Sequence, residues 1–433
     1  MGARVPTRAA FAAPAVAAAA AVLCAFGCGA GSPRRAPASA TSARPLAGAP
    51  LGPAFGLTED NADLLFSPQA PARPGGAAFQ AARSELTALH PSYIRLLVDW
   101  AALAAQAGRA PALAGELNGC ARGVGPCGPY AGIREELAAI ASQQRAAGGG
   151  FRVVIVIFGA PAWAAAPASG CEGPGTRASS RALRPSAIGA YRALIGSLLS
   201  LAASEGVALE WWSPWNEPND PRFISPQRAR CDPGSPPLAP AVYGELARAM
   251  AAELRAHGGE HHLLLGELAD LQADSPRTTS IASFVAALPA DVICLGQVWS
   301  VHAYASRAPD APAPEAVGAL EAALEERGGC GREAAIWVTE AGTGTPHPGD
   351  PRPAGPAEEE AGCLALAAQL LGWYSDPRVG AVLQYSFRED PAFPVGLVSA
   401  DLSHLYPAYR LWLAYSRLRA AGEPPPSPAA GCA

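Results

Sequence analysis

The chain has 433 residues, 50% of them hydrophobic, which is long enough to bury a core unaided and fits either two or three domains or one elaborated barrel. A formal net charge of −5, with no run of basic residues, excludes an electrostatic basis for nucleic-acid binding. All 32 basic residues are Arg, so chemistry that needs a Schiff-base or P-loop lysine is excluded too, and no cofactor is expected.

From the N-terminus, Arg4 and Arg8 precede an apolar stretch that ends in small residues before Cys28, the layout of an export signal over residues 1–27. A cleavage site just before a cysteine resembles a lipoprotein signal, so Cys28 is a candidate lipid anchor, with ordinary secretion as the alternative. Residues 28–50 are rich in Ser, Pro, Ala and Gly and read as a flexible tether. No further stretch reads as apolar enough to span a bilayer. The protein is therefore expected to be exported, as a cell-envelope lipoprotein or a secreted protein, and to meet a membrane only through Cys28.

Within 51–420, eight short apolar runs recur: 54–60, 93–100, 151–159, 209–218, 263–268, 292–304, 334–342 and 381–387. Several are continuous, such as 153–158, which indicates parallel strands covered on both faces. Helical spacing fills the gaps. Ile133, Leu137 and Ile140 form one such stripe, and Ile188, Tyr191, Ile195 and Leu198 another, with Ser186 placed to cap it. Val242, Leu246 and Met250, then Val317, Leu320 and Leu324, repeat the pattern. Eight strand–helix units predict an α/β fold, a single (β/α)8 TIM barrel, with a doubly wound open sheet as the runner-up. Residues 421–433 read as a disordered Pro-rich tail.

Export leaves eight cysteines in a compartment where disulfides persist. Cys120 with Cys127 and Cys171 with Cys231 are the least strained pairs, and Cys294, inside an apolar run, reads as a buried free thiol. No Cys/His group has zinc spacing, and His261 and His262 read as the start of a strand, so no metal is expected.

Barrel chemistry sits at the C-terminal ends of the strands, and two runs end in glutamate: Trp215-Asn216-Glu217-Pro218 and Trp337-Val338-Thr339-Glu340. Splitting an acetal needs a proton for the leaving oxygen and an anion beneath the developing oxocarbenium centre, which two carboxyl groups supply without metal or cofactor.

With these motifs the chain resembles the clan of retaining glycoside hydrolases with (β/α)8 barrels, clan A, over roughly 55–413. Ile94-Arg95-Leu96 through Trp100 looks like that clan's second strand, Pro161-Ala162-Trp163 like the turn after its third, and His302-Ala303-Tyr304 like its sixth. Tyr385-Ser386-Phe387-Arg388 looks like the eighth. Within the clan it looks most similar to family 39 and related bacterial exopolysaccharide hydrolases, with family 5 next. The resemblance implies a glycosidase acting on a poly- or oligosaccharide, with Glu217 as general acid/base, Glu340 as nucleophile and Asn216 on the sugar 2-hydroxyl. Many members have Trp at the end of strand eight; here Tyr385 and Phe387 stand in its place.

Arg95 and Tyr304 are candidate donors that keep Glu340 charged and oriented, and His302 is a further candidate. Glu217 must hold a proton, which an apolar setting by Trp212 and Trp215 would favour. Trp100, Trp163, Trp215 and Trp299 are candidate sugar-stacking platforms. Glu59, Asp60, Asp99, Glu267, Glu389 and Asp390, also near strand ends, read as wall or loop residues. The long segments 100–132 and 218–240 suit an open cleft. The competing class is a barrel that binds carbohydrate or scaffolds an envelope complex without turnover. A serine hydrolase would need a Gly-x-Ser-x-Gly elbow, which the chain lacks.

Overall fold

The computed structural model describes residues 52–71, 76–147, 150–305, 316–345, 349–421 and 425–432. The expected signal, Cys28 and the tether lie outside the described residues. Eight parallel strands, β1 (Ala54–Thr58), β2 (Tyr93–Asp99), β3 (Arg152–Phe158), β4 (Trp211–Ser213), β5 (His262–Leu268), β6 (Val298–Tyr304), β7 (Ala335–Gly342) and β8 (Val379–Tyr385), pair in chain order and close as β8 meets β1. Closure rules out the open doubly wound sheet and establishes the TIM barrel.

The continuous apolar runs follow from this architecture. Tyr93, Val154, Val156, Leu264, Trp337 and Leu383 point inward and pack as the barrel's own core. Their neighbours Ile94, Leu96, Val153, Ile155 and Ile157 point outward and are buried under the helix ring. With both faces dry, alternation disappears from the sequence although it persists in the structure.

Strand limits differ from the runs where local chemistry intervenes. β4 stops at Ser213 because Pro214 has no N–H to continue the ladder, although Asn216 N still donates to Ile157 O at 3.1 Å. β6 starts only at Val298, since 290–293 form a helical turn after Pro289. Ser186 caps nothing: it lies inside a 3-10 turn, Pro185–Ala187, that leads into the helix Ile188–Glu205. That helix also corrects the membrane expectation, because Pro185–Glu205 is long and apolar enough to cross a bilayer by length and composition, with a mean hydropathy of 1.3. Its Tyr191, Leu194, Ile195 and Leu198 are buried against the barrel, which accounts for the apolarity.

Among the described residues, four disulfides brace the fold. Cys120–Cys127 and Cys171–Cys231 are paired as expected; the first closes a loop after β2, and the second ties the loop after β3 to the loop after β4. Cys294 is not a free thiol but pairs with Cys330. The tail expectation is corrected as well: Pro428–Cys432 is a short helix, and Cys363–Cys432 fastens it to the helix Pro356–Ser375. A covalent tie and the burial of Cys432 outweigh the disorder that its Pro-rich approach suggests.

Candidate active site

Above the inner apolar layer the barrel turns polar, and the C-terminal strand ends bring one connected set of charged side chains together. Arg95 on β2 is fully buried. Its Nη1 lies 2.9 Å from Glu340 Oε1, while its Nη2 donates to Glu267 Oε2 at 2.6 Å and to Asn216 Oδ1 at 2.8 Å. A guanidinium out of water is tolerated only with such partners. Tyr304 on β6 donates its hydroxyl to Glu340 Oε2. Glu340 therefore sits between a fixed cation and a fixed donor.

His302, two residues before Tyr304 on β6, occupies the centre. Its Nδ1 is 2.9 Å from Glu217 Oε1 and 3.3 Å from Glu340 Oε2, and its Nε2 is 2.8 Å from Glu267 Oε2. Burial alone would lower its affinity for a proton, but the charge of Glu340 and the bonds to Glu217 and Glu267 outweigh that and push its pKa up to about 10. For Glu267 burial opposes the charge, and Arg95 and His302 more than offset it, bringing its pKa down to about 2. Tyr304 is raised, first by burial and then by Glu340.

The backbone is shaped to aim these groups. Glu217 has φ 36° and Glu267 φ 53°, left-handed conformations that cost a non-glycine residue on the order of 1 kcal/mol or more. In β7 the inward side chain Trp337 would, by strict alternation, be followed inward by Thr339 and outward by Glu340. Register shifts on both edges reset that pattern, so that Val301 pairs with Val338 but His302 with Glu340. Bulges of this kind re-aim a side chain toward a site.

Beyond β4, Arg222 places Nη2 3.2 Å from Glu217 Oε2 and Nε 2.9 Å from Asp220 Oδ1. Asn219 braces the same turn, its Nδ2 donating to Ala269 O and Thr279 O and its Oδ1 accepting from Ala269 N. The expected apolar setting for Glu217 is absent: Trp212 and Trp215 belong to the core on the helix side, and their indoles donate to Leu209 O and Phe223 O. The immediate partners of Glu217 are His302 and Arg222.

Of the four candidate platforms, Trp100, Trp215 and Trp299 are 2%, 1% and 0% exposed and have no ring face to offer a sugar. Large indoles near strand ends serve the barrel–helix core as readily as a cleft. Trp163 is half-buried, edge-on to Trp100 with its Nε1 donating to Ala104 O at 2.7 Å, and keeps some open surface. At strand eight Phe387 is buried, whereas Tyr385 lines a cavity of about 640 Å³ beside the charged set. Asp60, Glu116, Arg122, Tyr130 and Asp390 also line it. Arg388 holds its wall by donating to the carbonyls of Gly119, Val124 and Pro126. Asp99 caps the helical turn Trp100–Leu103 and Glu389 pairs with Arg352, so both are wall residues as read.

One oxygen each from Glu217 and Glu340 and a ring nitrogen of His302 lie within 4.8 Å of one another. The same atoms could face a cation, but Arg95 on Glu340 and the bonds that engage both nitrogens of His302 make this a donor–acceptor network instead. Sequence reasoning undervalued Glu267 and missed Arg222 altogether. The signal for Glu267 was a Gly-Glu pair interrupting a strand of leucines; Arg222 carries none beyond its nearness to Glu217.

No protein-family model matches the sequence, and no curated protein is similar to it. Among solved structures the chain is similar to SrfJ from Salmonella typhimurium, at 9% identity over 85% of this chain and 74% of that one, with a TM-score of 0.53. It is also similar to GH5_18 from Streptomyces cattleya, solved with GlcNAc, at 16% identity over 87% and 82%, with a TM-score of 0.50. The catalytic domain of GH30 xylanase C from Talaromyces cellulolyticus overlaps less well, at 14% identity over 84% and 75%, with a TM-score of 0.49. Identities this low speak to the fold alone. The structural neighbours include clan A glycoside hydrolases such as GH5_18, and what the chain shares with them is the eight-stranded parallel barrel.

Proposed function

We propose that the protein is a retaining glycosidase that cleaves O-glycosidic bonds of a poly- or oligosaccharide by double displacement. The observation that carries this reading is the approach of Glu217 and Glu340 oxygens to within 4.8 Å, with Glu340 held by Arg95 and Tyr304. So close an approach of one oxygen from each suits a retaining pair, whose carboxyl groups stand about 5 to 5.5 Å apart, better than an inverting pair, at about 6.5 to 9.5 Å, which must admit a water between carboxylate and sugar. In the first step Glu340 attacks the anomeric carbon while Glu217 passes to the leaving oxygen the proton it shares with His302 Nδ1; in the second Glu217 takes a proton from water, which displaces Glu340, and the shared proton is restored. Arg95 and Tyr304 stabilise Glu340 as carboxylate and as leaving group. With Asn216 Oδ1 occupied by Arg95, its Nδ2 is the end left for the sugar 2-hydroxyl.

Tyr385 and the cavity beside the pair supply further sugar contacts, with Trp163 at the rim, and the absence of a strand-eight Trp sets this subsite apart from many clan members. An affinity to family 39 and the exopolysaccharide hydrolases belongs to this proposal. So does export: four disulfides suit an oxidising compartment, reached through a signal over 1–27 with Cys28 as anchor. The test is reducing-end release by the purified protein from a panel of bacterial and plant polysaccharides. Cleavage of a panel member supports the reading; binding without cleavage supports the rival, a carbohydrate-binding scaffold.

A further inference from the structure

Double displacement uses two carboxylates, yet a third is built into the same layer at evident structural cost. Leu264 faces the barrel interior, so alternation along β5 would send Gly266 inward and Glu267 out to the helices. The chain instead bulges: pairing with β6 jumps from Leu265↔Trp299 to Leu268↔Val301, and Gly266 (φ 98°) and Glu267 (φ 53°) are left-handed in succession. A side chain at Gly266 would meet Ser300 O at 2.4 Å, so only glycine fits. Two dedicated hydrogen bonds hold the bulge, Gly266 N to the Tyr243 hydroxyl and Glu267 N to Ser300 Oγ, each 2.8 Å.

The turned-in carboxylate touches neither Glu217 nor Glu340. Its Oε2 meets Arg95 Nη2 and His302 Nε2, at 2.6 and 2.8 Å. Those two residues are the ones that reach the catalytic pair: Arg95 bonds Glu340 and Asn216, and His302 bonds Glu217. We propose that Glu267 is the positioning residue of the site, anchoring Arg95 and His302 from behind so that one buried anion sets the orientation of both catalytic carboxylates. The inference rests on reading Glu217 and Glu340 as that pair.

The geometry also bears on the proton of His302. Each of its ring nitrogens faces a carboxylate oxygen, and an ionised carboxylate only accepts, so Nε2 must donate to Glu267. The groups around His302 are Glu217 and, on its far oxygen, Arg222 from the loop after β4; Glu267 from β5; Glu340 from β7; and, across Glu340, Arg95 from β2 and Tyr304 from its own strand. Glu267 is the member that contacts no reacting atom, so its replacement changes the support and deletes no reacting group.

The test is Glu267→Gln, nearly isosteric but uncharged, read by 15N NMR of the His302 imidazole and by kinetics on whichever panel substrate is cleaved. In the wild type both nitrogens should remain protonated at pH 8. In the variant His302 should lose its proton at a hydroxide concentration at least tenfold lower, and kcat should fall about 10- to 100-fold with a smaller change in KM, as a displaced catalytic geometry does. Glu267→Asp, which keeps the charge, should recover part of both. If Glu267→Gln does not fold, Ser300→Ala loosens the same bulge and should shift both readouts in the same direction by less. An unchanged titration with unchanged kcat overturns the inference while wild-type cleavage still upholds the catalytic reading. A moved titration in a protein that cleaves no glycoside overturns the catalytic reading and leaves the Glu267 anchor standing.

Discussion

Glu267 and Glu59 are both buried carboxylates at the mouth of the barrel, yet the protein treats them in opposite ways. Glu267, on β5, meets a guanidinium and an imidazole, and its pKa falls to about 2. Glu59, just past β1, accepts the backbone N–H groups of Asn61 and Arg388, and burial pushes it up to about 7. Its neighbour Asp60 rises to about 6 by burial, against the pull of the Leu97 N–H and of Arg95. Burial is common to both carboxylates; the difference is that a guanidinium and an imidazole contact Glu267 directly, whereas Glu59 is met by backbone N–H groups and feels Arg388 only at longer range. On the β2, β4–β7 side the carboxylates are paired with cations, whereas Glu59 and Asp60 past β1 are held by backbone N–H groups and bind their protons more tightly than usual.

Breaking the charged side should have by far the largest effect. Glu340→Ala removes the attacking atom and should lower kcat by on the order of 10⁴- to 10⁶-fold on every substrate, measured as product release against wild type. Next, Glu217→Ala should lose about 10²- to 10⁴-fold on substrates with poor leaving groups, whereas activated ones, which need no acid for the first step, should release their leaving group in a burst and then stall at hydrolysis. Azide should rescue it by intercepting the intermediate, giving a β-glycosyl azide if the cleaved linkage is β; failure of rescue on an activated substrate would remove Glu217 from the acid/base role.

Stability should distinguish the two regions by sign. Glu267 binds its proton more weakly folded, at about 2, than at its ordinary 4.5, so its contribution is present above 4.5 and lost as pH falls through 2. The cost of Glu267→Gln, followed by denaturant melts, should therefore grow as pH rises from 2 to 5. Glu59 binds its proton more tightly folded, about 7 against 4.5, so the folded state loses stability as pH climbs through that window. The cost of Glu59→Gln should shrink over the same climb, by an amount on the order of 3 kcal/mol. His302 adds stability that is complete below 6.5 and lost as pH rises through about 10, so His302→Asn should flatten the alkaline limb of the wild-type melt curve. The smallest effect belongs to the cavity: Tyr385→Ala should raise KM about tenfold while changing kcat less, since its ring lines the cavity and touches no reacting atom.

The same contrast explains what could be read from the sequence. The barrel was legible because strands dry on both faces become unbroken apolar runs, and Glu217 and Glu340 stood out because a carboxylate ending such a run has no packing purpose. Arg95, His302 and Tyr304 followed from their strand ends and Asn216 from the family resemblance, and the structure gathers all six. Glu267 was passed over because period-two alternation points it outward, and only the bulge that Gly266 permits turns it in. The tryptophans misled for the opposite reason, as an indole fits core and cleft alike and three of the four sit in the core. Cys363–Cys432 was hidden because a pairing between residues 69 apart is a tertiary fact, invisible to a tail's composition.

The account turns on Glu340 as nucleophile, and peptide mapping of a trapped intermediate tests that most directly. Glu217→Ala is incubated with a panel of activated aryl glycosides, quenched in acid and digested. The account predicts a mass gain of one glycosyl unit, as an ester, on the peptide that carries Glu340. Aryl release without any such adduct, or an adduct on a different carboxylate, would contradict it.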